Sequence, residues 1–390
     1  MNRTIDIISF TDGGRVLSLK LKDAFAALGY EAEAVSGKAS SQSDSENVRG
    51  AVRTVRLGDW TAEHFRTGAV LIFIGAAGIA VRAIAPHVKD KKTDAAVIVM
   101  DEKGRFAVPV LSGHIGEANL FAGMAAAITG GQTVLTTATD VNRLFAVDVL
   151  ANRNELVISD MTKAKLFSAA LLESRAARIM IPDRFADLIR VEGEVPEEAA
   201  VVRTEEVRAG DGPPLTDARV DEPRLVDARA DGPRLTDVVI SPGTVDPAGP
   251  LQLVPRCLYL GVGCRRGKDA GDLLQFLKDE MAKAGLSPAA VRSLNSIDIK
   301  KDEAGLITCA KELGVPFRTF PAEILRAAEG DFTPSSFVAE TTGVDNVCER
   351  AAWAAATEEG GGPGRRFILR KTARDGMTLA VVMAEVPVRF

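Results

Sequence analysis

Two short runs hold the residue types best suited to chemistry: Ser112-Gly113-His114-Ile115-Gly116, and Thr136-Thr137-Ala138-Thr139-Asp140. His114 is one of three histidines in 390 residues. Imidazole is the side chain whose ordinary pKa lies near neutrality, which makes His114 the natural proton carrier. Ser112 could hold the ring, bond a substrate or act as a nucleophile. Asp140 closes a threonine-rich run of hydrogen-bonding groups. The structural alternative is that His114 and Asp140 each cap a helix.

These side chains need strands and turns to bring them together. Residues 97–100 and 106–111 read as strands joined by a turn at 101–104, a hairpin-like excursion that ends at Ser112. A helix over 119–128 and a strand at 134–136 follow. Upstream, the apolar run 5–10, the amphipathic helix 16–28 and the strand 31–35 form a β-α-β opening, which favours a parallel sheet. Ala69–Ile74 reads as a buried strand entering Gly75-Ala76-Ala77-Gly78, a glycine turn before a helix whose free N–H groups could meet a carboxylate or phosphate. It fails the strict GxGxxG pattern. Arg82 on that helix and Lys89, Lys91 and Lys92 beyond it gather positive charge, although a solvated lysine loop is the plainer reading. Ligands of parallel α/β sheets collect at the carboxyl ends of strands. Gly75, Ser112 and the run 136–140 all fall at such ends, so a single pocket is expected there.

The composition changes over residues 191–250, which are rich in Glu, Asp, Arg, Pro and Gly. They contain a decapeptide repeat, DGPPLTDARV from Asp211, DEPRLVDARA from Asp221 and DGPRLTDVVI from Asp231. Each copy has a proline that blocks regular helix and too few apolar residues for a core, so an exposed linker is expected. After it the α/β pattern resumes: a strand at 258–262, a turn GVGCRRG (261–267), a helix at 270–284, and a terminal hairpin around Asp375-Gly376. Gly263 with Arg265, Arg266 and Lys268 reads as a carboxylate cradle. Lys300 and Glu303 stand between a strand and a helix, with an ion pair as the alternative. The expected fold is α/β, two Rossmann-like parallel-sheet domains (1–190 and 251–390) joined by a low-complexity linker (191–250).

Several classes are disfavoured by composition. A net charge of −5 and 5% aromatic residues argue against nucleic-acid binding. The longest apolar run, 69–81, is broken by Gly75 and Gly78 and stops at Arg82, short of the roughly 20 residues that span a bilayer. The N-terminal run lacks the pattern of a signal peptide, and a soluble, cytoplasmic protein is expected. Cys257, Cys264, Cys309 and Cys348 form no CxxC pair and suggest neither a zinc site nor a disulfide framework.

FIGAAGIAVRAIAPHVKDKKTDAAVIVMDEKGRF, LSGHIGEANLFA, TTATDVNRLFAVDVLA, GVGCRRG, SIDIKKDEAGL and TGVDNVCERAA resemble, in this order, the cobalt-precorrin-5A hydrolase (CbiG) family of anaerobic cobalamin biosynthesis. The likeness spans nearly the whole chain outside 191–250, and the C-terminal part also resembles the accessory protein CobE. The chain departs from the family at Glu117, where a glycine is usual, and at Ala95, where a proline is. The resemblance implies hydrolysis of the δ-lactone of a cobalt-bound, ring-contracted tetrapyrrole with release of acetaldehyde. It gives His114 as base, Ser112 and Asn119 as positioning groups, and Asp140 as orienting carboxylate. Hydrogen bonds would come from Gly113, Thr136, Thr137 and Thr139. Gly75, Gly78, Arg82, Lys91, Gly263, Arg265 and Lys300 would face the substrate's carboxylates. Cobalt arrives inside the substrate, so no cofactor or protein metal site is implied, although His114 could ligate the cobalt axially. The implied partners are the cobalt-precorrin and other cobalamin-pathway enzymes, with neither nucleic acid nor membrane. The alternatives are a non-catalytic corrinoid carrier and, on the glycine turns alone, a nucleotide-dependent α/β enzyme.

Overall fold

The computed structural model describes residues 3–38, 53–90, 93–142, 144–204, 236–359 and 364–390. The chain divides into two units, Met1–Val149 and Leu150–Phe390. The first contains β1 (Thr4–Ser9), α1 (Asp12–Ala27), β2 (Glu31–Lys38), β3 (Thr54–Arg56), α2 (Leu57–His64), β4 (Ala69–Ile74), α3 (Ala77–Ile84), β5 (Ala96–Met100), β6 (Phe106–Leu111), α4 (Ala118–Thr129), β7 (Gln132–Thr133), α5 (Ala138–Val141) and the start of α6 (Val147–Arg153).

The sequences AVLIFI and AVIVM of β4 and β5 are buried along their whole length, as expected of central strands covered on both faces. Thr11 caps α1, its hydroxyl accepting from Gly14 N–H at 3.0 Å, and Leu17, Leu21 and Phe25 form the buried stripe. Alternation along the strands sorts the core. Ile5, Ile7, Val70 and Ile72 face α1 and α4, whereas Ile8, Leu71 and Phe73 pack with Trp60 of α2 and Ala80 of α3.

Seven strands lie in the order β3-β2-β1-β4-β5-β6-β7. The first five are mutually parallel, β6 runs antiparallel to β5, and β7 is parallel to β6. The reversal is made by Asp101, whose carboxylate accepts from Lys103 N–H and Phe106 N–H at 3.0 and 2.8 Å, and by Gly104 at φ +67°. It overturns the expected common pocket. Because β6 points backwards, Ser112 emerges at the amino-terminal edge of the parallel strands, beside Asp94. Gly75, Gly78 and Arg82 follow β4 at the opposite, carboxyl edge.

The second unit continues with β8 (Leu156–Ile158), α7 (Met161–Ser174), β9 (Ala177–Pro182), β10 (Ile189–Glu192), β11 (Ala199–Thr204), β12 (Asp237–Ile240), β13 (Leu251–Pro255), β14 (Leu258–Cys264), α8 (Ala270–Lys283), β15 (Val291–Ile297), α9 (Ala304–Leu313), β16 (Phe317–Phe320), α10 (Ala322–Ala327), α11 (Ser336–Thr342), α12 (Val347–Glu359), β17 (Arg365–Arg374), β18 (Met377–Ala384) and β19 (Val386–Arg389). It holds two five-stranded sheets, β11-β9-β12-β13-β8 and β16-β15-β14-β18-β17, and the pair β10-β19. Both five-stranded sheets mix parallel and antiparallel pairs.

The unit boundary after Val149 thus differs from the expected one after residue 190. The expected linker 191–250 also contributes β11 and β12 to a sheet. The last residues of the third decapeptide copy, Asp237-Val238-Val239-Ile240, are β12 itself, with Val238 and Ile240 buried. The rest of the repeat, to residue 235, lies outside the described residues. Among the described residues no helix is long and apolar enough to cross a membrane.

Candidate active site

The chain leaves β6 at Leu111 and reaches α4 through a loop that closes on the first turn of that helix. Ser112 O and Gly113 O accept from Ala118 N–H and Asn119 N–H at 3.2 and 3.0 Å. Ser112 Oγ donates to Asp94 O at 3.3 Å. Gly113 is needed because a Cβ there would sit 2.7 Å from Asn119 Oδ1. Gly116 is needed because its Cβ would fall 2.5 Å from that of Ser112. Glu117, one of the two departures from the family pattern, has φ 67°, a conformation that favours glycine. Its side chain is tied by Arg3, whose Nε donates to Glu117 Oε2 at 2.9 Å and whose Nη2 donates to Ile115 O at 3.3 Å. The added carboxylate is therefore directed to a loop anchor. The other departure, Ala95, is fully buried beside β5.

This loop presents His114 to two carboxylates. Its Nε2 lies 3.0 Å from Asp140 Oδ2, an oxygen that also accepts from Asn119 Nδ2 at 2.8 Å. Its Nδ1 lies 3.2 Å from Asp148 Oδ1. Hydrogen bonding to Asp148 leads the forces on the ring; with the charges of both aspartates it outweighs desolvation and raises the His114 pKa to about 9. At neutral pH the ring is an imidazolium with both protons committed, and the group as a whole carries one negative charge. The expectation of a neutral imidazole base does not match this geometry, since neither nitrogen has a lone pair to offer. The same argument removes His114 as an axial cobalt ligand in this protonation state.

Asp148 is the residue that sequence reasoning missed. Its one signal was its place in FAVDVLA, a second carboxylate eight positions after Asp140 at the start of a helical run.

A pH dependence follows from the raised pKa. A histidine whose folded pKa exceeds its unfolded value of about 6.5 stabilises the fold fully below that value, and the contribution is lost as pH rises through about 9. Denaturant titrations of wild type and His114→Gln are expected to show the wild-type advantage shrinking by about 1–2 kcal/mol between pH 6 and pH 9.5, solvent around the half-buried group limiting the size. A pH-independent difference would contradict the imidazolium.

A cleft of about 200 Å³ opens beside the ring, lined by Ser112, Gly113, His114, Ile115, Thr137 and Asp148. A cleft of this size accommodates a single side group of a larger molecule. Of the three threonines expected to supply hydrogen bonds, only Thr137 lines it. Thr136 is exposed, and Thr139 is buried with its hydroxyl lacking a hydrogen bond among the described residues.

The remaining expected residues do not join this group. Gly75 donates its N–H to Met100 O at 2.8 Å at the far edge of the sheet, with Gly78 and Arg82 exposed beyond it. Lys91 lies outside the described residues. Gly263, Arg265 and Lys300 belong to the second unit. A Cβ on Gly263 would meet Thr378 Oγ1 at 2.6 Å, and Arg265 N–H donates to Gly376 O at 3.0 Å. Lys300 Nζ donates to Glu303 Oε2 at 3.0 Å, while Glu303 Oε1 accepts from Gly267 N–H at 2.7 Å. One backbone N–H of GVGCRRG is thus taken by a carboxylate of its own chain, and Lys300 and Glu303 form the ion pair given as the alternative.

Family models described as Cobalamin synthesis G N-terminal and Cobalamin synthesis G C-terminus match residues 59–140 and 258–382. The cobalt-precorrin-5A hydrolase of Salmonella typhimurium is 35% identical over 291 residues, covering 74% of this chain and 76% of that protein. The chain belongs to the cobalt-precorrin-5A hydrolase family. The Priestia megaterium cobalt-precorrin-5A hydrolase is 30% identical over 282 residues, 72% of this chain and 71% of its own. Protein CobE of Sinorhizobium sp is 31% identical over 103 residues, 26% of this chain and 67% of its own, in keeping with the CobE-like character read in the C-terminal part. In this cobalt-precorrin-5A hydrolase family member the N-terminal matched range contains Ser112, Gly113, His114, Asn119 and Asp140, and stops short of Asp148.

Proposed function

We propose that this chain hydrolyses cobalt-precorrin-5A, opening its δ-lactone and releasing acetaldehyde to give cobalt-precorrin-5B, and that the Asp148–His114–Asp140 group carries the proton transfers. The observation that supports this most is an imidazole held between two carboxylates at both ring nitrogens, with one of them, Asp148, on the wall of a cleft. Lactone hydrolysis needs a base for water, donors for the developing oxyanion and an acid for the departing alkoxide. Asp148 takes the proton of the attacking water. Thr137 and the Gly113–Ile115 loop border the cleft where negative charge develops on the former carbonyl oxygen. His114 gives a proton to the alkoxide as the acyl–oxygen bond breaks.

The resulting neutral imidazole is then a base. It removes the proton of the freed hydroxyl, the carbon–carbon bond to the macrocycle breaks, acetaldehyde leaves and the electron pair passes into the tetrapyrrole. One water is consumed, Asp148 passes the proton it took to solvent, the new acid ionises to a carboxylate, and His114 ends as it began. Asp140, held by Asn119, fixes the ring throughout and keeps the imidazolium favourable. His114 therefore acts first as acid and then as base, which reconciles its resting charge with the release step.

Reaction in water enriched in oxygen-18 tests this course. One labelled oxygen is expected in the new carboxylate of the tetrapyrrole product. A product carboxylate without label would overturn attack of water on the lactone carbonyl.

A further inference from the structure

On the opposite side of the first unit's sheet from α1 and α4, a second ionisable cluster with two buried members has no part in the chemistry above. Asp6 occupies a position of β1 where alternation calls for an apolar side chain: its face is that of Ile8, Trp60, Leu71 and Phe73. It is 5% exposed, and His64, the last residue of α2, is 7% exposed and stacks on Trp60 with ring centroids 5.2 Å apart. Glu33 is the direct neighbour of Asp6 across the β1–β2 ladder and points to the same face.

The buried members of this cluster are only partly satisfied by the protein, although Glu33 Oε1 lies 3.6 Å from Arg53 Nη2 and His64 Nε2 lies 3.9 Å from Glu63 Oε2. His64 Nδ1 and Asp6 Oδ1 are 3.0 Å apart, yet the two groups are not aligned for a hydrogen bond. Both nitrogens of the buried imidazole and Asp6 Oδ2 lack hydrogen-bond partners among the described residues. A buried carboxylate and a buried imidazole left this way are costly unless something supplies charge and coordination between them.

We propose that Asp6, Glu33 and His64 bind a divalent transition-metal ion of the zinc class. One ligand atom from each residue can be chosen so that all lie within 4.8 Å of one another. Closing them to the spacing of about 3.5 Å that a tetrahedral ion with bonds near 2.1 Å requires takes a shift of about 1 Å, within reach of the exposed Glu33 side chain. One imidazole nitrogen with two carboxylate oxygens suits zinc and its first-row neighbours better than magnesium or calcium, which prefer oxygen alone. Two carboxylates also balance the charge of the ion. With three protein ligands and water in the fourth position, the ion ties the end of α2 to β1 and β2. This site departs from the expectation that the protein needs no metal of its own, and it is independent of the cobalt carried by the substrate.

The test uses the full chain, stripped with a chelator and titrated with Zn²⁺ alone, with bound metal and unfolding temperature both measured. Wild type is expected to take up one equivalent and to unfold at a higher temperature when loaded. Glu33→Gln, a near-isosteric change at an exposed position, is expected to leave the metal-free unfolding temperature unchanged and to weaken zinc binding by at least about tenfold. His64→Gln is expected to abolish uptake of that equivalent. Failure of wild type to bind zinc would overturn the site. So would binding of equal affinity in Glu33→Gln and wild type, which would place the metal at the His114 cleft or at a cysteine.

Discussion

Asp148→Asn is expected to lower the rate of acetaldehyde release by about 10²–10⁴-fold, the range of a positioned proton-transfer group. The change is nearly isosteric, and the amide oxygen can still accept from His114 Nδ1, so loop, cleft and fold should persist. What is lost is the charge. The amide cannot take a proton from water, and the strongest influence holding His114 protonated is gone. The His114 pKa should therefore fall, moving the alkaline limb of the rate profile below its wild-type position near pH 9.

His114→Gln should lose as much rate as Asp148→Asn. The double variant should be little worse than the poorer single one, because members of one relay fail together. Asp140→Asn should lose less, since Asn119 still holds that side chain. Steady-state rates at saturating substrate, with binding measured separately, distinguish these roles. A Asp148→Asn enzyme within tenfold of wild type would remove Asp148 from the chemistry.

Gly261→Ala is expected to destabilise the second unit by about 3 kcal/mol or more, without any ligand being involved. A Cβ at Gly261 would lie 1.8 Å from Cys348 O and 2.8 Å from Ala352 N, both backbone atoms of α12, where that helix lies on β14. A flexible side chain could move aside, but a helix backbone seated on a sheet cannot do so without losing its packing. Denaturant unfolding, or failure to accumulate in soluble form, would report the loss. Stability within 1 kcal/mol of wild type would show that α12 does not sit so close to β14. Together with Gly263, which faces Thr378, this assigns Gly261 and Gly263 of GVGCRRG to close packing, whereas Gly267 at φ +72° serves the turn.

How much of this was legible beforehand depended on whether a feature is local. The Ser112-Gly113-His114 cluster and its nearness to the 136–140 run followed from residue type and from strand ends, while the pairing of His114 with Asp140 followed from the family resemblance. The β-α-β opening and the buried strands β4 and β5 were plain from apolar runs. The turn at Asp101–Gly104 was readable too, whereas the place of its hairpin within the sheet shows only in the fold. A hairpin inserted into a parallel sheet reverses every later strand end, which separated Gly75 and Arg82 from Ser112.

The charge state of His114 could not be read at all, because it depends on the distance from its loop to Asp148 on α6. The sheet containing β8, β9 and β13 was hidden for a different reason. Its strand β12 is the tail of a repeat whose composition otherwise argues against structure, so average composition concealed the short β-branched run Val238-Val239-Ile240. In the same way Asp6 looks like an ordinary polar position in a strand until α2 covers it and brings His64 alongside.

The hydrolytic role itself is tested most directly by a single turnover: purified chain in excess over cobalt-precorrin-5A, with acetaldehyde trapped and the tetrapyrrole weighed by mass spectrometry. One equivalent of acetaldehyde per substrate is expected from wild type, with the lactone opened, and almost none from Asp148→Asn over the same interval. A stoichiometric complex of wild type with unchanged substrate, and no acetaldehyde, would contradict hydrolysis and make the protein a carrier of the intermediate.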